Sequence, residues 1–394
     1  MNILLITKDA SVLREGSEAR ATLLEQSKLV DNLFVIVLNV RGEHFETQRV
    51  SETVLFVPTN SWAWWLTPFD ALHIAHREFF FQGRFQADLV AAYDPCESGV
   101  AALLVGRKYG KPLHLHIEHN VFSPQFVFGS VGHFFTNGIR AIAARFVARG
   151  ASAIHVTSED IKVSLVGIVR DIGGRIAVFP HFIDIESFQN EPVHINLHTK
   201  YPQFKFVLLV ATPIESTQYI TRSIEVLAGV LKQYAHAGLV IVGESVSARA
   251  VHAQAKRLGV GDHVVAEETS ENLVSYLKTA NVFLMFETRE DTDNLIAKAV
   301  ACGCPVVSTS VGIAPLIISD GESGFLCASD DVGCFVGNVM KLLNSTPMRV
   351  RIKANSFASL QKVTGETRED YQQLVKDSWQ RALKDTPATG TMTV

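Results

Sequence analysis

The feature that most constrains this chain is a pattern that runs through it twice. Short apolar runs rich in β-branched residues alternate with longer segments of helical spacing. In the first half, Asn2–Thr7, Leu33–Leu38, Thr53–Val57, Leu89–Ala92, Leu113–Ile117 and Ala151–Val156 read as buried strands. Glu15–Leu29, Pro68–Phe81, Gly99–Tyr109 and Ser158–Val166 read as helices among them. The pattern restarts after the polar stretch Gln189–Lys200. Phe206–Val210, Gly238–Val242, Val264–Ala266, Val282–Phe286 and Pro305–Thr309 read as strands. Ile220–Gln233, Ala248–Leu258, Asn272–Thr279, Asp293–Ala301 and Asp330–Leu343 read as the helices between them. This alternation predicts parallel sheets covered by helices on both faces. The expected class is therefore α/β, with two doubly wound units, Met1–Phe188 and Gln189–Glu366. Such sheets bind ligands at the C-terminal ends of their strands, so two facing units predict a cleft. Thr367–Lys384 reads as a final amphipathic helix, with Gly365 as a breaker and Thr367 as N-cap ahead of acids in the first turn. Asp385–Val394 is rich in Pro, Thr and Gly and is expected to fray.

Size and charge narrow the function classes. A chain of 394 residues with 47% hydrophobic residues can fill two cores. Its 36 basic and 40 acidic residues give a net charge of -4, without the basic excess of a nucleic-acid binder. The same numbers exclude a disordered chain. Five cysteines, an odd number spread over a long chain, predict no disulfide framework. Cys302 and Cys304 lack the second ligand pair a zinc site needs. The apolar start Ile3–Ile6 is too short for a secretory segment. No run approaches the roughly 20 apolar residues of a membrane helix. A reducing cytoplasmic location is expected, with contact to the inner face of a membrane left open.

Two polar or aromatic segments stand out. In Leu113–Asn120, His114 and His116 share one face of a strand, and Glu118 and His119 follow at its end. Three histidines and a glutamate invite a metal reading, but a structural site wants four converging ligands. The cleft-lining or core reading is preferred, and no metal is expected. His155, on its own strand, reads as a satisfied core histidine. Trp62, Trp64 and Trp65 precede a segment carrying Phe69, Phe79, Phe80, Phe81 and Phe85, with Arg77 and Arg84 nearby. Trp and Arg suit a lipid boundary, but core packing and the lining of an acceptor groove are the commoner use of such residues.

An ordered set of motifs now carries a resemblance. Val178–Asp184 resembles the linker segment, and Phe206–Leu227 the strand–loop–helix opening, of the retaining GT-B glycosyltransferases of family four (group 1). Leu239–Gly243 resembles their L-x-I-V-G strand, and Leu277–Leu284 their Y-x-x-A-D-V-F-L entry. Ala301–Val307 with Val311–Gly312 resembles their A-x-G-x-P-V-V segment, and Asp320–Leu326 their D-G-x-x-G-x-L turn. In the first half, Arg14–Ser17 resembles the glycine loop after the first strand. Each piece alone has an ordinary reading as a strand end, a turn or core; the ordered set does not.

The resemblance implies a GT-B fold of two Rossmann-like domains, and metal-independent transfer of a hexose with retention. The donor would be a UDP- or GDP-linked sugar, with no other cofactor. The acceptor would be a glycan or lipid-linked compound. Gly16 would lie near the diphosphate and Glu290 near the sugar, with Glu118 or His119 contacting the sugar or leaving group. The family neutralises the diphosphate with an Arg and a Lys and closes the site with a second Glu. By alignment these positions hold Pro213 (Thr212 if shifted by one), Gln218 and Lys298. Asp291 and Asp293 replace glycines, so Glu287, Glu290, Asp291 and Asp293 form an acidic cluster offset only by Arg289. Losing two cations and a ribose contact would cost roughly 4–9 kcal/mol of donor affinity. Arg222, one turn beyond Gln218, and Lys298 or Arg289 are candidate replacements, with Asn294 beside them; the ordinary reading of Lys298 is an exposed helix cation paired with Asn294 or a nearby acid. The alternative is a pseudo-glycosyltransferase that keeps the fold and serves as a binding or scaffold partner, for instance to an active glycosyltransferase.

Overall fold

The computed structural model describes residues 1–42, 44–80, 85–122, 126, 134–180, 182–211, 217–243, 247–267, 273–286, 293–310, 314–364 and 367–384. It divides into two compact units, Met1–His181 with Thr367–Val394, and Phe182–Glu366. The division falls ahead of Phe188 because Ile183, Ile185 and Phe188 already pack into the second unit's core.

The first unit holds an eight-stranded sheet. Its strands are β1 (Asn2–Thr7), β2 (Asn32–Val37), β3 (Gln48–Arg49), β4 (Val54–Pro58), β5 (Leu89–Ala92), β6 (Leu113–Ile117), β7 (Ala153–Val156) and β8 (Ile176–Val178). Their spatial order is β3-β4-β2-β1-β5-β6-β7-β8, and only β3 runs antiparallel to its neighbour. Successive side chains point to opposite faces, so Leu4 and Ile6 enter one core layer and Ile3 and Leu5 the other. The first layer is closed by the helices Thr67–Ile74, Glu97–Tyr109, Phe134–Gly150 and Glu159–Ile168. The second is closed by Glu18–Ser27 and by the C-terminal helix Arg368–Lys384, which buries Val375, Trp379 and Ala382. That helix starts on the predicted cap: the Thr367 hydroxyl accepts from the Asp370 N–H at 3.1 Å.

The second unit has six parallel strands: β9 (Phe206–Ala211), β10 (Ala237–Val242), β11 (Val264–Glu267), β12 (Val282–Met285), β13 (Val306–Thr309) and β14 (Phe325–Cys327). Their order is β11-β10-β9-β12-β13-β14. Gly238 on β10 is required by close approach, since a Cβ there would lie 2.2 Å from the Phe204 ring. At the end of β11, Glu267 accepts from Lys200 Nζ at 2.7 Å and from the hydroxyls of Tyr201 and Tyr276, each at 2.5 Å. Burial opposes its charge, but these three donors prevail and hold its carboxyl below the usual range.

Two expectations are corrected, and one local disulfide is added that the cysteine count did not reveal. Cys327 and Cys334 form a disulfide that ties β14 to the following helix Val332–Asn344, whereas Cys96, Cys302 and Cys304 are free and buried. A seven-residue link between adjacent elements is within local reach, and it is a single staple and not a framework. Trp62, Trp65 and Phe69 are not core residues, being 76%, 60% and 61% exposed. They lie at the turn before and on the outer side of Thr67–Ile74, whose buried face uses Thr67, Pro68, Ala71 and Ile74. The helix expected over Pro68–Phe81 is α-helical only to Ile74 and widens into a π-type segment, Ala75–Phe80.

The C-terminal helix is required for closure of the first sheet. Trp379→Ala, at a fully buried site, should lower the unfolding free energy by about 3–5 kcal/mol. Urea unfolding measures this, and a loss under about 1 kcal/mol would show that the sheet closes without that helix.

Candidate functional site

Doubly wound sheets bind ligands where the strand order reverses, beyond the carboxyl ends of the strands. In the first sheet that point lies between β1 and β5. Lys8 and Asp9 follow β1 directly, and Asp94, Cys96 and Glu97 follow β5. The Asp9 carboxylate caps the 3-10 turn Ala10–Leu13 by accepting from Ser11 N–H at 2.9 Å. Gly16 then adopts φ +80, a left-handed conformation that favours glycine, with no neighbour a Cβ would meet. Ser17 caps the helix Glu18–Ser27, its hydroxyl accepting from Arg20 N–H at 3.2 Å.

Opposite this turn, one Asp94 oxygen accepts from Cys96 N–H at 2.7 Å, and Glu97 accepts from Arg140 Nε at 2.6 Å. The second oxygens, Asp94 Oδ2 and Glu97 Oε2, are buried with no partner among the described residues. Burial alone would lower the Lys8 pKa, but its neighbours, Asp94 first and Glu97 with it, outweigh burial and raise it. Burial, then Asp94, pushes the Cys96 thiol up to about 12, so it stays a neutral thiol. Ligand atoms of Asp94, Cys96 and Glu97 lie within 4.8 Å of one another. Two flanking cations offset the two carboxylates, so the cluster is a charge-balanced polar site. Its unmet acceptor oxygens suit hydroxyl groups, and Lys8 and Arg140 suit an anion.

Farther along the sheet, Glu118 lies just beyond β6. Its carboxylate meets His116 Nε2 at 2.9 Å, His116 Nδ1 meets His155 Nδ1 at 2.6 Å, and His155 Nε2 meets the Phe179 carbonyl at 2.7 Å. The β6–β7 register sets His116 opposite His155. His114 Nε2 bonds the Ser378 hydroxyl on the C-terminal helix at 2.8 Å, and its buried Nδ1 has no partner among the described residues. These side chains line a cavity of about 60 Å³ together with Tyr93, Tyr371 and Trp379. The three histidines therefore serve one another, the helix and Glu118.

His119 is half-buried in the turn after Glu118, its carbonyl accepting from Val121 N–H at 2.9 Å. Asn120 bonds Ser164 at 2.8 Å. Gly16 and Glu118 belong to the same strand-end edge, after β1 and β6, with β5 between them. In the second sheet the order reverses between β9 and β12. The segments that follow those strands lie outside the described residues, and with them Thr212, Pro213, Glu287, Arg289, Glu290 and Asp291. Gln218 and Asn294 sit in the first turns of the helices Thr217–Leu231 and Asp293–Ala301, and their side chains, like that of Asp293, lie outside the description. Arg222 is half-buried on the same helix as Gln218. The Lys298 ammonium lies 5.7 Å from the Phe188 ring centroid. Lys8, Asp94, Glu97 and Arg140 escaped the sequence reading. A charge placed directly after each of two apolar strands was the available signal, and it gains meaning only once those strands are known to flank the reversal.

Known proteins agree with this architecture. Residues 197–358 match the family described as glycosyl transferases group 1. D-inositol 3-phosphate glycosyltransferase of Mycolicibacterium smegmatis is 24% identical over 64% of this chain and 58% of its own length. N-acetyl-alpha-D-glucosaminyl L-malate synthase of Bacillus anthracis is 27% identical over 27% of this chain and 28% of its own. The chain thus spans less than two thirds of these curated relatives. Sucrose-phosphate synthase of Thermosynechococcus elongatus superposes with TM-score 0.79 at 12% identity, covering 98% of this chain and 100% of that one. HepE of Anabaena, in complex with UDP and glucose, superposes with TM-score 0.71 at 17% identity, covering 96% and 99%. The fold is GT-B, and residues 197–358 of the second unit match the group 1 glycosyl transferase model.

His114 supplies a pH test. Burial, then the neighbouring His116 ring, lowers its pKa from 6.5 to about 3. The folded state therefore holds it neutral, and the unfolded state binds the proton first as pH falls. Stability is complete above about pH 6.5 and declines towards pH 3. His114→Gln keeps a donor for Ser378 without a titrating ring, so it should lose about 2 kcal/mol less than wild type between pH 6.5 and 5. Urea midpoints across that range measure this. Parallel losses in the two proteins would show that His114 is protonated without cost.

Proposed function

We propose that the chain transfers a hexose, with retention and without a metal, from a UDP- or GDP-linked sugar to a hydroxyl-bearing acceptor, a glycan or lipid-linked compound. The observation that carries this reading is the polar site at the order reversal of the first sheet. A transferase must hold an acceptor hydroxyl by its proton, and Asp94 Oδ2 and Glu97 Oε2 are buried acceptors without partners among the described residues. Lys8 and Arg140 beside them favour an acceptor that also carries an anionic group. Two relatives named for an inositol phosphate and for malate fit that chemistry. Donor recognition is assigned to the second unit, with Glu290 at the sugar, and Arg222, Lys298, Asn294 and Gln218 on the phosphate side. Gly16 gives its loop room to approach the diphosphate.

Asp94→Asn should lower transfer about a hundred-fold or more while leaving nucleotide-sugar affinity unchanged. Calorimetry with UDP- and GDP-sugars, alongside product detection, tests both parts. Equal loss of binding and transfer would move Asp94 to the donor. The second reading, a pseudo-glycosyltransferase, is favoured by Pro213, Gln218 and Lys298 at the family's Arg, Lys and Glu positions. No binding of any nucleoside diphosphate sugar by the wild type would establish it.

The first unit also fits an acceptor at a membrane face. Trp62, Trp64, Trp65 and Phe69 are exposed, as are Ile139, Ile142 and Phe146 on Phe134–Gly150, a helix with three arginines and no acid. Arg140 lies over the Trp64 ring at 5.5 Å and joins the two surfaces. Aromatic and basic side chains together suit a bilayer with anionic headgroups. Trp65→Ala with Phe69→Ala should weaken flotation with anionic phospholipid vesicles about ten-fold or more, since each large apolar side chain contributes roughly 1.5–3 kcal/mol. Unchanged flotation, or none in the wild type, would reject the membrane face.

A further inference from the structure

We infer that Glu118, His116 and His155 share one proton more than two neutral imidazoles and a carboxylate carry, so the triad is electrically neutral and can donate a proton at Glu118. The argument is a count. The Phe179 carbonyl can only accept, so His155 Nε2 carries a proton. The contact between His116 Nδ1 and His155 Nδ1 at 2.6 Å needs one proton between two nitrogens. The contact between His116 Nε2 and Glu118 Oε1 at 2.9 Å needs one more. Three contacts require three protons. Two neutral imidazoles supply two, and the third resides on His116, on His155 or on Glu118. Removing it sets two lone pairs against each other in one of the contacts.

The side chains that line the cavity around the triad stay neutral around pH 7. Just after β5, Tyr93 faces the triad and donates its hydroxyl to Gln26 of the helix Glu18–Ser27, and Thr22 lies beside it. From the C-terminal helix come Tyr371 and Ser378, and from β6 comes His114. Burial raises the pKa of both tyrosines and lowers that of His114, so all three stay neutral around pH 7. The triad runs from the buried Phe179 carbonyl to Glu118, whose side chain is 36% exposed. The third proton is shared along this path, and Glu118 is its exposed end. His116 and His155 are thus positioning residues that let a carboxyl group at the sheet edge meet an oxyanion-bearing ligand without repelling it. Its service to glycosyl transfer rests on the function proposed above, whereas the proton count does not.

The test uses the full chain labelled with ¹⁵N-histidine and ¹³C-glutamate. At pH 7, NMR should find three protons over the four ring nitrogens of His116 and His155 and the Glu118 carboxyl, with His155 Nε2 always protonated. Two protons, or a bare His155 Nε2, would overturn the inference. Glu118→Gln presents an amide N–H to His116 Nε2 and keeps all three contacts without a labile third proton. Both imidazoles should then stay neutral across the range in which the wild type releases one proton. A titration of His116 or His155 unchanged by Glu118→Gln would overturn it. If the wild-type count is three and its pH profile for transfer persists in Glu118→Gln, the triad stands and only its role in transfer fails.

Discussion

The first unit depends on one requirement: a parallel sheet buried on both faces must be covered on both. Four helices close the layer that holds Leu4 and Ile6. The opposite layer has the short helix Glu18–Ser27, which adds Leu23 to the core, and would otherwise leave Ile3, Leu5, Val35 and Val37 uncovered. The chain meets that need with its last helix, through Trp379 and Val375. A consequence for the chemistry follows. The same helix covers His114 and bonds it through Ser378, so the burial that lowers the His114 pKa is supplied by residues more than two hundred positions away.

Local elements were the most legible part of the sequence. Asn2–Thr7, Leu89–Ala92, Leu113–Ile117 and Asp293–Ala301 have the bounds their apolar patterns predict. The helix Phe134–Gly150 was not read, for a physical reason. It buries Asn137, Ala144, Val147 and Ala148 while exposing Ile139, Ile142 and Phe146, so its apolar pattern points away from the core. Thr346–Thr364 also went unread, a 19-residue helix that buries Ile352, Ser356 and Leu360. For His155 the reading as a satisfied core histidine holds. Its partners were hidden because the register of β7 against β6 is set by two whole strands, not by spacing within either. Lys8 and Asp94 were hidden in the same way, since nothing local reveals that β1 and β5 are neighbours.

Each sheet has a single reversal of strand order, and the residues there differ in electrostatic character. In the first unit two carboxylates are set against two cations, with a thiol kept neutral between the acids. Such a site stays polar without a large net field, and it suits ligands that carry both hydroxyl and anionic groups. The Glu118 triad extends the same logic along the edge, because histidine neighbours remove the charge a lone carboxylate would present. In the second unit the corresponding sequence is acidic from Glu287 to Asp293, with Arg289 as its only cation. The match to the group 1 model therefore speaks for the fold of that unit more than for its affinity for a diphosphate.

Arg140 connects the polar site to the apolar surface. Its Nε bonds Glu97 at 2.6 Å, and its guanidinium lies 5.5 Å from the Trp64 ring centroid. One side is the buried acidic cluster; the other is a face of exposed aromatic and aliphatic side chains. Arginine suits both, because its planar cation stacks on rings and bonds carboxylates with fixed geometry. Lysine would keep the charge and lose the stacking. An amphiphilic acceptor, apolar at one end and hydroxylated at the other, would meet both surfaces within the reach of this one side chain. The exposure of Trp62, Trp65 and Phe69 then has a use that core packing could not give it.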